Sequence, residues 1–421
     1  MTPSRSPSRG GECECIVCNS SINENYMPKI FTDSRLIAEV LERGVENVYP
    51  SKDAFREALK SGKQLTIYNG IDPTGQLHLG HGVILLKLRQ LQLLGHKIIL
   101  LIGDFTGMIG DPTDKLATRK PLTKAQVLAN AKGYKQLIGK ILDPKETEFR
   151  YNSEWWGKIK ADKFLELASE LSAARIWERD MFQERLKQGK EVRLHELLYP
   201  LLQGYDSVAM DVDVEIGGND QTVNMLVGRE MMKNRNKEKF VLTCKLLVDP
   251  TGKKMGKTEG NFVALDDLPD EMYGKVMSWP DTLIPLAFEL ITVVPLPEVV
   301  QIKNELVAGK NPKITKMLLA YKLVELYHGK PAAISAEEHF KKVFERKEVP
   351  AEIPEVTTQA KTLLEALVAC KLAASKAEAR RLIEQGGVKV NGTVIKDEQF
   401  EVPDHATIQK GKRFFVCVKR G

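Results

Sequence analysis

The stretch from Gln64 to Gly107 constrains the fold more than any other part of the chain. "QLTIYNG" is a short apolar run with strand character. Gly82 to Leu94 places Val83, Leu86, Leu91 and Leu94 at helical spacing and is followed by Gly95, and "KIILLIGDFTG" is a second apolar strand run. Strand, helix and strand in that order predict a parallel sheet covered by helices. The rest of the chain extends the pattern. "RLIAEVLERG" reads as a helix with a glycine stop, and Lys124 to Ile141 and Ala161 to Glu170 read as helices of an insert at about 125–195. "DVDVEIGGND" ends a strand and leads into the helix "QTVNMLVGREMMK", and "KFVLTCKLLVD" is a further strand. From Pro269 to about Phe344 the pattern is mostly helical, and the charged, proline-bearing "RKEVPAEIPEV" reads as a linker. The expected organisation is a disordered tail (1–27), an α/β doubly wound, Rossmann-like nucleotide-binding unit (28–265), a helical unit (266–345), a linker (346–360) and a small α+β unit (361–421).

Composition narrows the class. With 43% hydrophobic and 28% charged residues, the chain resembles an ordinary soluble globular protein. Its greasiest stretch, Val83 to Ile102, is broken by Lys87, Arg89, His96 and Lys97, which argues against a membrane span. The six cysteines form no disulfide framework, which suits a reducing cytosol, so a cytoplasmic location is expected. Cys13, Cys15 and Cys18 cluster in the polar tail, one ligand short of a usual structural zinc set, so no metal site is expected. The tail has no apolar core and reads as dispensable rather than as a targeting peptide. The net charge of +6 is uneven: Lys361 to Gly421 carries 12 Lys and Arg against 7 Asp and Glu. Such a basic unit on a near-neutral body suggests a polyanion handle.

The chemistry concentrates in "YNGIDPTGQLHLGHG", where His78 and His81 stand three apart at a strand-to-helix junction. Free backbone N–H groups and the positive end of the helix dipole converge there, a setting suited to a triphosphate. Imidazoles in that place can donate to charge developing on phosphorus, and Gly80 and Gly82 leave room for a close ligand. Alone, the pair is equally compatible with two structural histidines near a turn. A second feature shifts the balance: "KKMGKTEGN" sets Lys253, Lys254 and Lys257 on a glycine-flanked loop after a predicted strand.

Taken together these segments resemble the class I aminoacyl-tRNA synthetases, "HLGH" their HIGH signature and "KMGKT" their KMSKS loop. The resemblance implies ATP binding by Gly70, His78, Gly80, His81, Gly218, Asp220, Met255 and Lys257. It implies catalytic roles for His78, His81, Lys254, Lys257 and Thr258, with Lys115 and Arg119 of a mobile loop aimed at pyrophosphate. Within the class, more residues resemble the bacterial tyrosyl-tRNA synthetase family than any other. "YNGIDPTG", "FTGMIGDPTDK", "YPLLQGYDS" and "EIGGNDQ" carry that likeness and imply a tyrosine site of Tyr68, Asp72, Asp111, Tyr199, Gln203, Asp206 and Gln221. A phenol hydroxyl both donates and accepts, so Tyr68 and Asp206 can satisfy it together, and phenylalanine would leave both unpaired. Two departures stand out: Glu215 where many relatives have Gln, and Gly256 and Thr258 in place of the loop serines.

The implied activity is tyrosine–tRNA ligation with tyrosine, Mg·ATP and tRNA(Tyr), no permanent cofactor, and a homodimer through the insert. Three alternatives remain open: a tryptophanyl-tRNA synthetase, a cofactor nucleotidylyltransferase, and a synthetase-derived RNA-binding protein without chemistry. "KLAASKAEARRLIEQGGVKVNG" resembles the small RNA-binding module of a ribosomal small-subunit protein, which implies phosphate contacts by Lys376, Arg380 and Arg381.

Overall fold

The computed structural model describes residues 29–113, 122–248, 262–345, 354–411 and 414–420. Its larger sheet has six strands: β1 (Val45–Tyr49), β2 (Thr66–Ile71), β3 (Lys97–Ile102), β4 (Thr147–Tyr151), β5 (Val214–Gly218) and β6 (Phe240–Cys244). Their order across the sheet is β1-β6-β5-β2-β3-β4, with every pairing parallel except β1 on β6. The chain therefore winds outward in one direction through β3 and β4 and in the other through β5 and β6. The reversal falls between β2 and β5, where doubly wound sheets open a ligand crevice at their carboxyl ends. Only Ile67↔Val214 and Tyr68↔Glu215 pair across that line, so the two strands part immediately beyond Tyr68.

Four strands expected from the sequence are present, and β1 and β4 are additions. Both lie at the sheet edges and mix polar with apolar residues, so neither shows a continuous apolar run. The helix expected from Gly82 begins earlier, at Leu79, because His78 itself caps it. The expected helix from Lys124 to Ile141 is two pieces, Lys124–Ala131 and Tyr134–Ile138, separated at Gly133.

The division at residue 265 is not a break in the core. One continuous apolar cluster joins Leu41, Leu86, Leu100 and Leu242 of the sheet unit to Met272, Phe288, Leu319 and Leu323 of the helical region. Buried Arg43 reinforces the join, its guanidinium donating to the carbonyls of Glu289 (3.0 Å), Thr292 (3.3 Å) and Val294 around the end of the helix Ile284–Ile291. Gly82 belongs to the same seam: a Cβ there would lie 2.6 Å from the hydroxyl of Tyr327, on the helix Pro312–His328. The space at Gly82 is thus taken by a packed neighbour rather than left for a ligand.

The C-terminal unit has its own apolar cluster, running from Leu363 to Val418. Its five strands, β7 (Glu355–Thr358), β8 (Val388–Val390), β9 (Thr393–Val394), β10 (Ala406–Lys410) and β11 (Phe414–Arg420), lie in the order β7-β11-β10-β8-β9. Pairing of β7 with β11 corrects the boundary drawn from sequence: residues 355–358, assigned there to the linker, are part of this sheet. Among the described residues, no helix is long and apolar enough to cross a membrane.

Candidate active site

His78 and His81 sit at the carboxyl-end rim of the parallel sheet and hold one another. His78 Nδ1 accepts from the Gly80 amide at 3.1 Å, and His81 Nδ1 accepts from the His78 amide at 3.2 Å. With both Nδ1 atoms accepting, the proton of each neutral ring resides on Nε2. Burial, then the neighbouring His78, pushes His81 down to about 3, so at neutral pH it acts as an uncharged donor. The rings lie 4.1 Å apart between centroids. Gly80 makes this possible, because a Cβ there would come within 2.8 Å of the His78 ring.

Phe262 packs edge-on against His78 at 5.4 Å, and the Leu79 and Leu265 amides donate to the carbonyls of Val263 and Leu77 respectively. Residues 249–261 lie outside the described residues, and with them Lys254, Met255, Lys257 and Thr258; Lys115 and Arg119 lie outside as well. The described residue that follows the lysine loop is nevertheless placed against the histidine pair.

A connected polar network runs from the crevice into the insert. Asp72, just past β2, accepts from Thr106 Oγ1 at 2.6 Å and from the Tyr199 hydroxyl at 2.7 Å. Asn152 donates to Thr106 Oγ1 at 3.0 Å and to Asp206 Oδ2 at 3.3 Å. Trp155 and Trp156 donate their indole N–H groups to Asp206 Oδ1 at 2.8 and 3.1 Å. Those two bonds fill the two acceptor positions of Oδ1, while Oδ2 keeps one position beyond Asn152. Desolvation pushes the Asp206 carboxyl up to about 8 despite the three donors. Asp111 accepts from Gln221 Nε2 at 2.5 Å and twice from Thr113, and burial raises its pKa too.

Tyr68, on β2, is fully buried, with its hydroxyl 2.8 Å from Ser207 Oγ. Gln203 donates to Glu215 Oε1 at 3.1 Å, and Glu215 on β5 pairs with buried Lys239. Gly70 is exposed at the end of β2, and Asp220 follows Gly218 in a turn after β5. A Cβ at Gly218 would lie 2.5 Å from Asp220 Oδ1.

The structure thus gathers Tyr68, Asp72, Asp111, Tyr199, Gln203, Asp206 and Gln221 around the carboxyl ends of β2, β3 and β5. Sequence reading missed Asn152, Trp155, Trp156, Thr106, Ser207 and Lys239. The two tryptophans follow the unrecognised strand β4. Gly103 was missed as well, although a Cβ there would fall 1.9 Å from Asp72 Oδ1. In the C-terminal unit, Lys376, Arg380 and Arg381 lie exposed on or beside the helix Lys376–Glu384, and Arg380 donates to Glu398 at 2.6 Å. One group of three ligand-bearing side chains occurs among the described residues, Glu355, His405 and Cys417, with ligand atoms within 4.8 Å of one another.

Comparison with known proteins accords with this geometry. Residues 60–345, which include β2 to β6 and the histidine pair, match the family described as tRNA synthetases class I (W and Y), so the fold is that of a class I aminoacyl-tRNA synthetase. Residues 340–421 match the tyrosine–tRNA ligase SYY-like C-terminal domain, and the chain belongs to the tyrosyl-tRNA synthetase family. It is 44% identical over 388 residues to a tyrosine–tRNA ligase of Moorella thermoacetica, covering 90% of this chain and 94% of that one. It is 44% identical over 393 residues to the tyrosine–tRNA ligase of Haemophilus influenzae, covering 92% and 98%. Among solved structures, a C-terminally truncated mitochondrial tyrosyl-tRNA synthetase of Coccidioides posadasii aligns with a TM-score of 0.60 at 25% identity, over 72% of this chain and 91% of that one.

Proposed function

We propose that this tyrosine–tRNA ligase works through the residues gathered at the β2–β5 crevice. Tyr68 and Asp206 take the phenol of the substrate, and Asp72, Asp111, Tyr199, Gln203 and Gln221 take its ammonium. The tyrosine carboxylate attacks the α-phosphorus of Mg·ATP, forming the acyl-phosphate bond as the bond to the β-phosphate oxygen breaks and pyrophosphate leaves. The hydroxyl of the tRNA terminal adenosine then attacks the acyl carbon, and AMP departs. The attacking carboxylate needs no base, so catalysis rests on positioning and on donors aimed at developing charge. His78 and His81 serve the phosphate oxygens as neutral Nε2–H donors. Lys254, Lys257, Thr258, Lys115 and Arg119 serve the departing pyrophosphate, Gly70, Gly80, Gly218, Asp220 and Met255 seat the nucleotide, and Mg²⁺ enters with ATP as substrate.

The observation that carries this reading is the continuous hydrogen-bonded line from Tyr199 through Asp72, Thr106 and Asn152 to Asp206. It spans the distance between the proposed ammonium and phenol sites with polar groups that hold one another in place. Amino-acid-dependent ATP–pyrophosphate exchange with all twenty amino acids tests it. Tyrosine alone should drive strong exchange, and comparable exchange with tryptophan would overturn it.

The C-terminal unit we assign to tRNA, through exposed Lys376, Arg380 and Arg381. A cytoplasmic homodimer through the insert completes the reading. Exposed Leu165, Trp177 and Leu194 support that interface, as does a cavity of about 340 Å³ whose lining includes Phe105, Ile109, Trp156 and Phe164.

A further inference from the structure

One buried charge pair has no part in the chemistry above. Lys239 immediately precedes β6, is wholly buried, and lies 5.7 Å from the centre of the Tyr68 ring. Its ammonium has three protons, and all three are met: by Ser207 Oγ at 2.7 Å, by Glu215 Oε2, and by the Met225 carbonyl at 3.2 Å. Ser207 Oγ is therefore an acceptor toward Lys239, and its single proton must go elsewhere. The candidates are the Tyr68 hydroxyl oxygen at 2.8 Å and Glu215 Oε2 at 3.4 Å. The shorter contact is the better hydrogen bond, and Glu215 Oε2 is already engaged by Lys239. Ser207 thus donates to Tyr68, and a phenol O–H lies in the ring plane in one of two directions. With Ser207 on one side, the Tyr68 proton points to the other.

We propose that the buried Lys239–Glu215 pair is a positioning device for substrate recognition: through Ser207 it fixes the direction of the Tyr68 proton, so that Tyr68 donates to the substrate phenol. The substrate hydroxyl, accepting from Tyr68, is then left with its own proton for the remaining position on Asp206 Oδ2, a position open only in the ionised carboxylate, so tyrosine binding releases the proton that desolvation otherwise holds there. The backbone is shaped around this relay. A Cβ at Gly228 would lie 2.6 Å from Lys239 Nζ and 2.8 Å from Ser207 Oγ, and Gly204 lets the two helices that carry Ser207 and Gly228 meet. Glu215, the residue that departs from the commoner Gln, is what allows a lysine to be buried beside it, since an unpaired ammonium in that place would be expelled or neutralised.

The proposal rests on the reading of Tyr68 as the phenol contact, and one set of measurements separates the two. In the full chain, Ser207→Ala, the double variant Lys239→Met with Glu215→Gln, and Tyr68→Phe are compared by pyrophosphate exchange with tyrosine and with phenylalanine. Ser207→Ala should raise the KM for tyrosine about tenfold. Its kcat, its KM for ATP and its exchange with phenylalanine should stay within about twofold, because the lost contact serves only the hydroxyl. The double variant should shift the tyrosine KM the same way, and in a Tyr68→Phe background Ser207→Ala should add less than about twofold. An unchanged tyrosine KM in Ser207→Ala, or an undiminished effect of Ser207→Ala on Tyr68→Phe, would overturn the relay. Should Tyr68→Phe itself leave the tyrosine-to-phenylalanine ratio unaltered, the pocket reading and the relay both fall.

Discussion

Burial and hydrogen bonding pull Asp206 in opposite directions, and burial wins: its carboxyl sits at about 8 although two indoles and an amide donate to it. The folded protein therefore holds a proton there that the unfolded chain has lost above its ordinary pKa of 3.8. Wherever the folded state binds more protons, stability falls as pH rises, so the contribution declines from about pH 4 to about pH 8 and is level above. Asp206→Asn has no such proton to release. Its melting temperature should fall less than that of the parent chain between pH 5 and 8, in thermal unfolding followed across that range. Gly103 provides a steric counterpart. An alanine methyl 1.9 Å from Asp72 Oδ1 and 2.4 Å from Thr106 Oγ1 would displace a pair that lies 2.6 Å apart. Gly103→Ala should cost about 1–3 kcal/mol of stability, seen in a denaturant titration, and raise the KM for tyrosine far more than that for ATP.

His78 has two duties that belong to different levels of structure, capping the helix Leu79–Leu93 and presenting Nε2–H at its start. Asparagine is a good cap and a poor substitute for the second duty. His78→Asn should keep the melting temperature while exchange falls about tenfold or more. His78→Ala should lose exchange and also about 1 kcal/mol of stability. Parallel measurement of unfolding and exchange separates the two roles. This double use also shows what the sequence could reveal. The glycine-flanked histidines and the central strands β2 and β3 were legible, because glycines and apolar runs mark them directly, whereas Asp72, Asp111 and Asp206 were named only through the family resemblance. The edge strands β1 and β4 were not legible, since each mixes polar with apolar residues and lacks a continuous apolar run. With β4 went the helix Ser153–Trp156, and so the donors that hold Asp206. Lys239 was illegible for a different reason: a lysine at the head of a strand reads as its solvated flank, and only the fold brings Glu215 and Ser207 to it. The helix start at His78 was misplaced by three residues because histidine is not among the usual capping residues.

Among the described residues, the largest apolar cluster is shared by the sheet and helical units, and a separate one is confined to the C-terminal unit. Removing residues 346–421, with β7 included, should therefore leave tyrosine-dependent exchange close to that of the full chain. Charging of tRNA should fall sharply, and its dependence on salt should weaken as the proposed phosphate contacts from Lys376, Arg380 and Arg381 are lost. Exchange and charging by both chains over a salt series decide this, and equal salt slopes would assign the unit to assembly instead. The shared core has a historical consequence at Gly82. The Tyr327 hydroxyl that occupies the place of a Cβ there is buried and, among the described residues, has no hydrogen-bond partner. Shedding that oxygen relieves an unmet desolvation cost, so Tyr327→Phe is a step drift can take freely. Gly82→Ala is closed until that step has been taken and opens once it has. The two positions, one in the first turn of the histidine helix and one 245 residues downstream, can change in one order and not the other. The order of substitution open to that pair is set by a single hydroxyl.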